Sequence, residues 1–289
     1  MDKKRSIAEI AWGFFLLTHP GPVTLHVIAV AMLAVFAAWG HLVWLTIVLV
    51  IAAHAAMQWS ISMINDYCDR RLDALSKPKK PLVRRLVLPR EALIAGVLMA
   101  FLMVILLLFL NPLALLISLA YLALGQAYNF GLKSTAWSGL IFSLAIALIP
   151  LYVLAGVNRI APASPWVVPV GFLIGVALNL ANSLPDIEGD QAGDAKTLAV
   201  ILGVKGSFIA CPLLLIVAAA LIGTLSVLRV VSAQPWLTAA LLLIVVLAVG
   251  AMLLFFEPKK PLQTRQIYFY LVALTCLVVG IGWFIMVIS

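Results

Sequence analysis

Residues 42–73 read LVWLTIVLVIAAHAAMQWSISMINDYCDRRLD. The apolar part, 42–64, is long enough to cross a bilayer as a helix, which takes about 20 residues, and it runs straight into Asp66, Asp69 and Asp73. On a helix these aspartates fall at i, i+3 and i+7 and share one face. A membrane span ending in converging carboxylates sets the reading of everything around it.

The rest of the chain has the same character. Of its 289 residues 65% are hydrophobic and 10% charged, whereas soluble domains carry about 25% charged residues. Apolar runs recur at 20–39, 42–64, 91–110, 112–130, 136–156, 164–184, 207–228, 235–256 and 267–288, which predicts an all-α integral membrane protein with nine transmembrane helices. The runs are separated only by short polar stretches, so 1–289 reads as a single membrane domain. Ahead of the first run, Ile7, Ile10, Ala11, Phe14 and Phe15 recur at helical spacing behind Lys3, Lys4 and Arg5, which predicts an interfacial helix within 1–19. The basic start followed by His19-Pro20-Gly21-Pro22 offers no small-residue cleavage site, so the N-terminus is expected to be retained. Cys68, Cys211 and Cys276 have no metal-like spacing and form an odd set, which argues against a zinc site or a disulfide framework.

Charge sets the orientation. With nine spans and a cytoplasmic N-terminus, all of the 19 Lys and Arg except Arg159 and Arg229 fall on the cytoplasmic side, as the retention of basic loops requires. The net charge of +8 is explained by this bias and by anionic lipid headgroups; no nucleic-acid-binding module is visible. The 11 acidic residues are concentrated instead: three at Asp66, Asp69 and Asp73, four at Asp186, Glu188, Asp190 and Asp194. Both clusters follow even-numbered spans, so both loops, 65–90 and 185–206, face the cytoplasm.

The two clusters repeat. Asn65, Asp69 and Asp73 match Asn182, Asp186 and Asp190 at a constant offset of 117 residues. Asn179, Asn182, Asp186 and Asp190 share a face if the helix continues through Pro185, but a proline there removes a backbone donor and can kink or end it, and Gly189 and Gly193 suggest a looser backbone. Paired carboxylate clusters repel themselves unless a cation sits among them. Hard oxygen ligands suit Mg2+, which is typically held by one or two carboxylates together with substrate phosphates. The expected geometry is two helices facing each other across a cavity with metal ions flanking a diphosphate. Lys77, Lys79, Lys80, Arg84 and Arg85 follow the first cluster, Lys196 the second, and Lys133 lies after the fourth span; all are cations available to a diphosphate on the same side. Each feature also has a plainer reading. Aspartates at helix ends cap helices or sit in water, and a basic run can be a topology signal alone. His54 and Gln58 lie on the stripe leading to Ser62, Asn65 and Asp66, where intramembrane polar groups point either to function or to a helix-packing hydrogen bond. His26 reads as a packing residue.

These residues resemble the UbiA-type intramembrane prenyltransferases, over essentially the whole chain. That family carries an N-D-x-x-D-x-x-x-D motif after its second helix and D-x-x-x-D after its sixth; Asn65, Asp66, Asp69 and Asp73 fill the first and Asp186 and Asp190 the second. Lys77-Pro78-Lys79-Lys80-Pro81 looks like the family's basic-proline segment, Thr197-Leu198-Ala199-Val200 like its usual continuation of the second motif, and Tyr128 and Lys133 like the tyrosine and lysine after its fourth helix. The resemblance implies nine helices around a central cavity and transfer of an isoprenyl group from a prenyl diphosphate to an acceptor, an aromatic quinone precursor, in the cell inner membrane. It implies Mg2+ on Asp66, Asp69, Asp73, Asp186 and Asp190, with Asp66, Asp69, Asp186, Asp190 and Tyr128 at the reacting centre. Asn65, Lys77, Lys80, Lys133, Asn182 and Lys196 would contact substrate. The chain departs from the family where His19-Pro20 stands in place of a common Arg-Pro, so a cationic contact to the diphosphate is weakened there or supplied elsewhere. It departs again at Leu82-Val83-Arg84-Arg85, which lacks an expected Pro-Ser-Gly. Two other readings stay open: a terpene cyclase of the same architecture, and a transporter with acidic cation-binding loops. A transporter would place its carboxylates near the bilayer midplane at broken helices rather than at helix ends on one side.

Overall fold

The structure, a computed structural model, describes residues 5–192, 194–231, 234–254 and 262–288. Lys3, Lys4, Gly193, Lys259 and Lys260, which the sequence reading used, lie outside them. The chain forms two compact units, one made of the chain up to Phe130 with Tyr152–Arg159, the other of Gly131–Leu151 with the chain from Ile160 onward. No strand occurs among the described residues.

The first unit holds α1 (Ile7–Leu17), α2 (Pro20–Ala37), α3 (Trp44–Ser76), α4 (Pro89–Leu107), α5 (Pro112–Asn129) and the last turn of α6 (Trp137–Gly156). Its starts are written locally. Pro20, Pro89 and Pro112 occupy first-turn positions, where a missing N–H costs nothing and φ is already helical. Ser6 and Glu9 close a capping box at 3.1 and 2.8 Å. The long α3 is the axis of the unit, touching α1, α2, α4 and α5. Neighbouring helices come close to it just before the aspartates: Gly96 of α4 rests on Ile64 and Gly125 of α5 on Ile61, with no room for a Cβ at either glycine.

The interfacial helix α1 is built into the unit rather than floating beside it. Arg5 makes a two-pronged ion pair with Glu91 at 2.7 and 2.8 Å, a hydrogen bond that raises the guanidinium pKa further above its usual value. Leu17 joins Met63, Leu82, Val87 and Ala92 in one apolar cluster with Phe14 and Trp59 against it. A Cβ added at Gly13 would lie 2.7 Å from Val87 Cγ2 and 2.8 Å from Leu86 Cβ. Gly13→Val is therefore expected to cost about 1–3 kcal/mol by overpacking, and to speed limited trypsin cleavage at Arg84 and Arg85 as α1 lifts off the 77–88 loop.

The second unit holds most of α6, then α7 (Val167–Ser183), the short α8 (Ile187–Ala192), α9 (Leu198–Val227), α10 (Pro235–Leu254) and α11 (Leu262–Ile288). Helix α7 packs on α9 and α11, and α10 on the same two. Tyr268 sets its ring edge-to-face on Phe208, 4.5 Å between centroids, and donates its hydroxyl to the Phe208 carbonyl at 3.0 Å.

Among the described residues nine helical segments are long and apolar enough to cross a membrane, as the hydropathy predicts: α2–α6, the run Ser164–Ala192 that contains α7 and α8, and α9–α11. The boundaries differ where charge hid a helix. Helix α3 runs on to Ser76, past its aspartates, and α9 begins at Leu198, with Gly203 at φ 65° breaking the regular helix near its start. The second aspartate motif does not continue a helix. Helix α7 stops at Ser183, a 3-10 turn covers Leu184–Asp186, and α8 restarts at Ile187. Pro185 has no N–H to give the preceding turn, and its ring crowds the carbonyl four residues back. The sequence repeat is thus not a structural one: Asn65, Asp69 and Asp73 ride one helix, while Asn182, Asp186 and Asp190 lie on three successive pieces.

Candidate active site: two aspartate motifs

In the first unit the motif occupies the last three turns of α3. Asp66 and Asp73 are buried, Asn65 and Asp69 half-buried. Burying carboxylates is costly unless each finds a partner, and the chain supplies them from the loop that follows. From Lys77 to Leu86 successive turns, with Lys80 N–H bonded to the Lys77 carbonyl at 3.1 Å and Leu86 N–H to the Pro81 carbonyl at 3.0 Å, fold the loop back on the helix. Buried Leu82, Leu86 and Val87 hold it there. Lys80 is thereby returned to Asp66, its Nζ on Oδ1. Lys77, one turn beyond Asp73, forms an ion pair with it at 3.0 Å, and the nearby Asp73 carboxylate raises the ammonium pKa above the usual lysine value. Arg70 turns aside, lying over the Tyr67 ring at 4.3 Å.

A third partner comes from ahead of α2. His19 Nε2 lies 2.9 Å from Asp66 Oδ1 and 3.2 Å from Lys80 Nζ. The backbone at His19 is left-handed, φ 48° and ψ 62°, a conformation that costs a residue with a side chain about 1–2 kcal/mol. The strain aims the ring at Asp66. Where the family pattern has an arginine, His19 thus joins Lys80 on one carboxylate oxygen of Asp66.

Asp66 Oδ2, on the same carboxylate, is buried with no hydrogen-bond partner among the described residues. No group of three His, Cys, Asp or Glu among them is placed to hold a metal by itself. An orphaned, buried, hard oxygen beside Asp69 fits an ion that completes its shell from outside the protein, as Mg2+ does with water and phosphate oxygens.

Further along α3, away from the aspartates, Gln58 gathers three partners. Its Nε2 donates to the Tyr121 hydroxyl at 2.9 Å and lies 3.3 Å from His54 Nε2 and 3.5 Å from His26 Nδ1. His54 and Gln58 thus tie α3 to α2 and α5, the helix-packing alternative of the sequence reading, and His26 belongs to the same knot. Tyr128 is half-buried near the end of α5.

In the second unit Asn182 and Asp186 are exposed and Asp190 is half-buried. Glu188, between the aspartates, is held by Arg265 of α11 at 2.8 Å, and Arg265 also donates to the Leu184 carbonyl at 3.2 Å. Arg265 thereby pins the 3-10 turn that presents Asp186. The segments bearing Lys133 and Lys196 are joined by the Lys196 N–H on the Ser134 carbonyl at 3.1 Å. Asp194 sits at φ 57° in the turn between α8 and α9, a backbone role that Asp and Asn tolerate. Asn179 sets its amide oxygen against Gly139, where an added Cβ would have to displace it.

The chain is 28% identical over 181 residues to a digeranylgeranylglyceryl phosphate synthase of Thermococcus sibiricus, covering 62% of this chain and 64% of that one. It is 29% identical over 186 residues to a 4-hydroxybenzoate octaprenyltransferase of Saccharophagus degradans, covering 62% of each. The chain thus spans less than two thirds of the length of these curated relatives. A solved structure of a digeranylgeranylglyceryl phosphate synthase superposes with a TM-score of 0.80 at 18% identity, covering 97% of this chain and 99% of that one. A UbiA homologue from Archaeoglobus fulgidus bound to GPP and Mg2+ superposes with a TM-score of 0.65 at 16% identity, covering 94% and 99%; at such identities the likeness is one of fold. The model of the UbiA prenyltransferase family matches residues 24–275, and with its membrane-spanning helices and both aspartate motifs the chain belongs to that family.

Proposed function

We propose that this multi-pass membrane protein transfers an isoprenyl group from a prenyl diphosphate to a lipophilic acceptor, with Mg2+ held by Asp66, Asp69 and Asp73 of the first motif and Asp186 and Asp190 of the second. The observation that carries this reading is Asp66: a buried carboxylate at the end of an apolar helix, one oxygen held by Lys80 and His19, the other without a partner. Bound Mg2+ supplies Lewis-acid neutralisation of the leaving diphosphate. The protein's cations add to it: Lys80 and Lys77 reach the first motif, and Lys133 and Lys196 share a loop contact in the second unit. Positive charge fixed in advance costs no reorganisation as the C–O bond breaks and its electron pair leaves on the diphosphate oxygen. Asn65 supports the metal carboxylates, Asn182 contacts the substrate, and Tyr128 shields the allylic cation until the acceptor's electron pair closes the new bond and the acceptor loses a proton. Keeping water from that cation is the task of the apolar helices.

The acceptor is an aromatic quinone precursor in our first reading. A glyceryl phosphate lipid is the second, favoured by the likeness to digeranylgeranylglyceryl phosphate synthases. We place the protein in the cell inner membrane with its N-terminus and both aspartate loops in the cytoplasm, from the basic bias of those loops. Purified protein with Mg2+, labelled prenyl diphosphates and a panel of aromatic and glyceryl phosphate acceptors should yield a prenylated acceptor, identified by mass. A cyclised hydrocarbon formed without any acceptor would make it a cyclase, and cation flux in proteoliposomes without diphosphate consumption would make it a transporter.

A further inference from the structure

Asn129, the last residue of α5, is buried among membrane helices and every polar atom of its amide is committed. Its Nδ2 donates to the Ile61 carbonyl of α3 at 3.0 Å and to Gln126 Oε1 at 3.1 Å, and its Oδ1 accepts from Asn65 Nδ2 at 3.0 Å. An amide side chain can be turned over when its partners can be turned over too. A backbone carbonyl cannot be turned: it only accepts. Ile61 therefore requires the nitrogen of Asn129, which turns its oxygen to Asn65, which in turn commits the nitrogen of Asn65. The contact is possible because Gly125, one turn before Asn129, lets α5 close on Ile61.

We propose that Asn129 is a positioning residue for the metal site: it locks the Asn65 amide so that its carbonyl oxygen is turned away from α5 and is left for the stripe it shares with Asp69 and Asp73. This rests on the function proposed above. An oxygen there is a hard, neutral acceptor that favours a divalent cation among the carboxylates; an N–H there would oppose one. The relay from Ile61 through Asn129 to Asn65 gives Asn65 one polarity without adding charge, the kind of outer support that orients first-shell groups.

The test is Mn2+ binding to the detergent-solubilised full chain, followed by electron paramagnetic resonance with and without geranyl thiolodiphosphate, in a double-mutant cycle. Asn129→Leu is expected to weaken Mn2+ binding about 10- to 100-fold, the range for loss of an outer support. Asn65→Ala should weaken it at least as much, and the double variant no further than Asn65→Ala alone, because Asn129 acts only through Asn65. Gln126→Leu, which leaves the Ile61 carbonyl in command, should change it by less than Asn129→Leu does. Asn129→Ala, smaller and without a donor or acceptor, is read in the same cycle, so a folding defect in the leucine variant does not decide the matter. Unchanged Mn2+ affinity in Asn129→Leu or Asn129→Ala, or an equal further loss when either is added to Asn65→Ala, overturns the positioning role. Failure of the wild-type protein to bind Mn2+ even with the diphosphate analogue would instead overturn the proposed function.

Discussion

Asp66→Ala and Asp186→Ala should each lower Mg2+-dependent release of diphosphate by about 10^3-fold or more, at the upper end of what losing one preorganised electrostatic group costs. The two should differ in stability. Asp66 is 1% exposed and is the shared acceptor for Lys80 and His19, whose nitrogens lie 3.2 Å apart. Without the carboxylate Lys80 keeps only its contact with the His19 ring, and the loop that carries Lys80 loses its inner tether. Lys80 is partly exposed and can swing to water, so the thermal midpoint should fall by a few degrees rather than collapse. Asp186 is exposed and is presented by a turn pinned through Glu188 and Arg265, so its loss should leave the midpoint unchanged. Diphosphate release with a phosphate-coupled assay and thermal unfolding in detergent measure both. Turnover like the wild type in either variant would remove that aspartate from the mechanism.

The membrane fold was legible because hydropathy is a local property that survives any arrangement of the helices. What it missed are the places where helix and apolar run part company. The stretch from Asn65 to Ser76 is polar, yet it contains no breaker before Pro78, so α3 simply continues. Pro185 has the opposite effect, and a repeat exact in residue type is lost in the backbone. The aspartates themselves were legible because so few acids occur elsewhere.

The partners of the aspartates were not legible, because each comes from a distant segment through a backbone feature with no periodic signature. His19 reaches Asp66 through a left-handed residue between two helices, and Lys80 through a loop folded on Leu82 and Val87. Arg265 reaches Glu188 across 77 residues of sequence. Asn129 is the instructive case. It stands next to Tyr128 and so within sight of any motif search, but its meaning lies in a backbone carbonyl on another helix. One local signal did exist: an asparagine at the end of an apolar helix must satisfy four hydrogen-bonding positions, and such a residue seldom lacks a purpose inside a membrane.

Gly175→Leu should unfold or misassemble the second unit more severely than any single substitution at the aspartates. Gly171 and Gly175, four residues apart on α7, both face α6: a Cβ at Gly171 would lie 3.2 Å from both Cα and Cβ of Ala147, and one at Gly175 would lie 3.0 Å from Ser143 Cβ and 3.1 Å from its Cα. Ser143 and Ala147 are themselves four apart and small, so two helices meet along matched stripes of small residues. Lipid tails are as apolar as leucine, so such helices gain from close packing rather than from leaving water. Ser143 cannot retreat easily: it is fully buried and its hydroxyl already donates to the Gly139 carbonyl at 2.6 Å. A leucine at 175 meets backbone, not a flexible tip, and must push the helices apart along both stripes. Overpacking ordinarily costs about 1–3 kcal/mol, and here the dispersion contacts of the whole seam are lost as well, so about 3 kcal/mol or more is expected. Gly175→Ala should cost less, and Ser143→Gly should partly rescue Gly175→Ala by removing the atom it meets. Thermal unfolding of the four proteins in one detergent reads this directly, and a Gly175→Leu midpoint equal to the wild type would show that α6 and α7 do not meet along this seam.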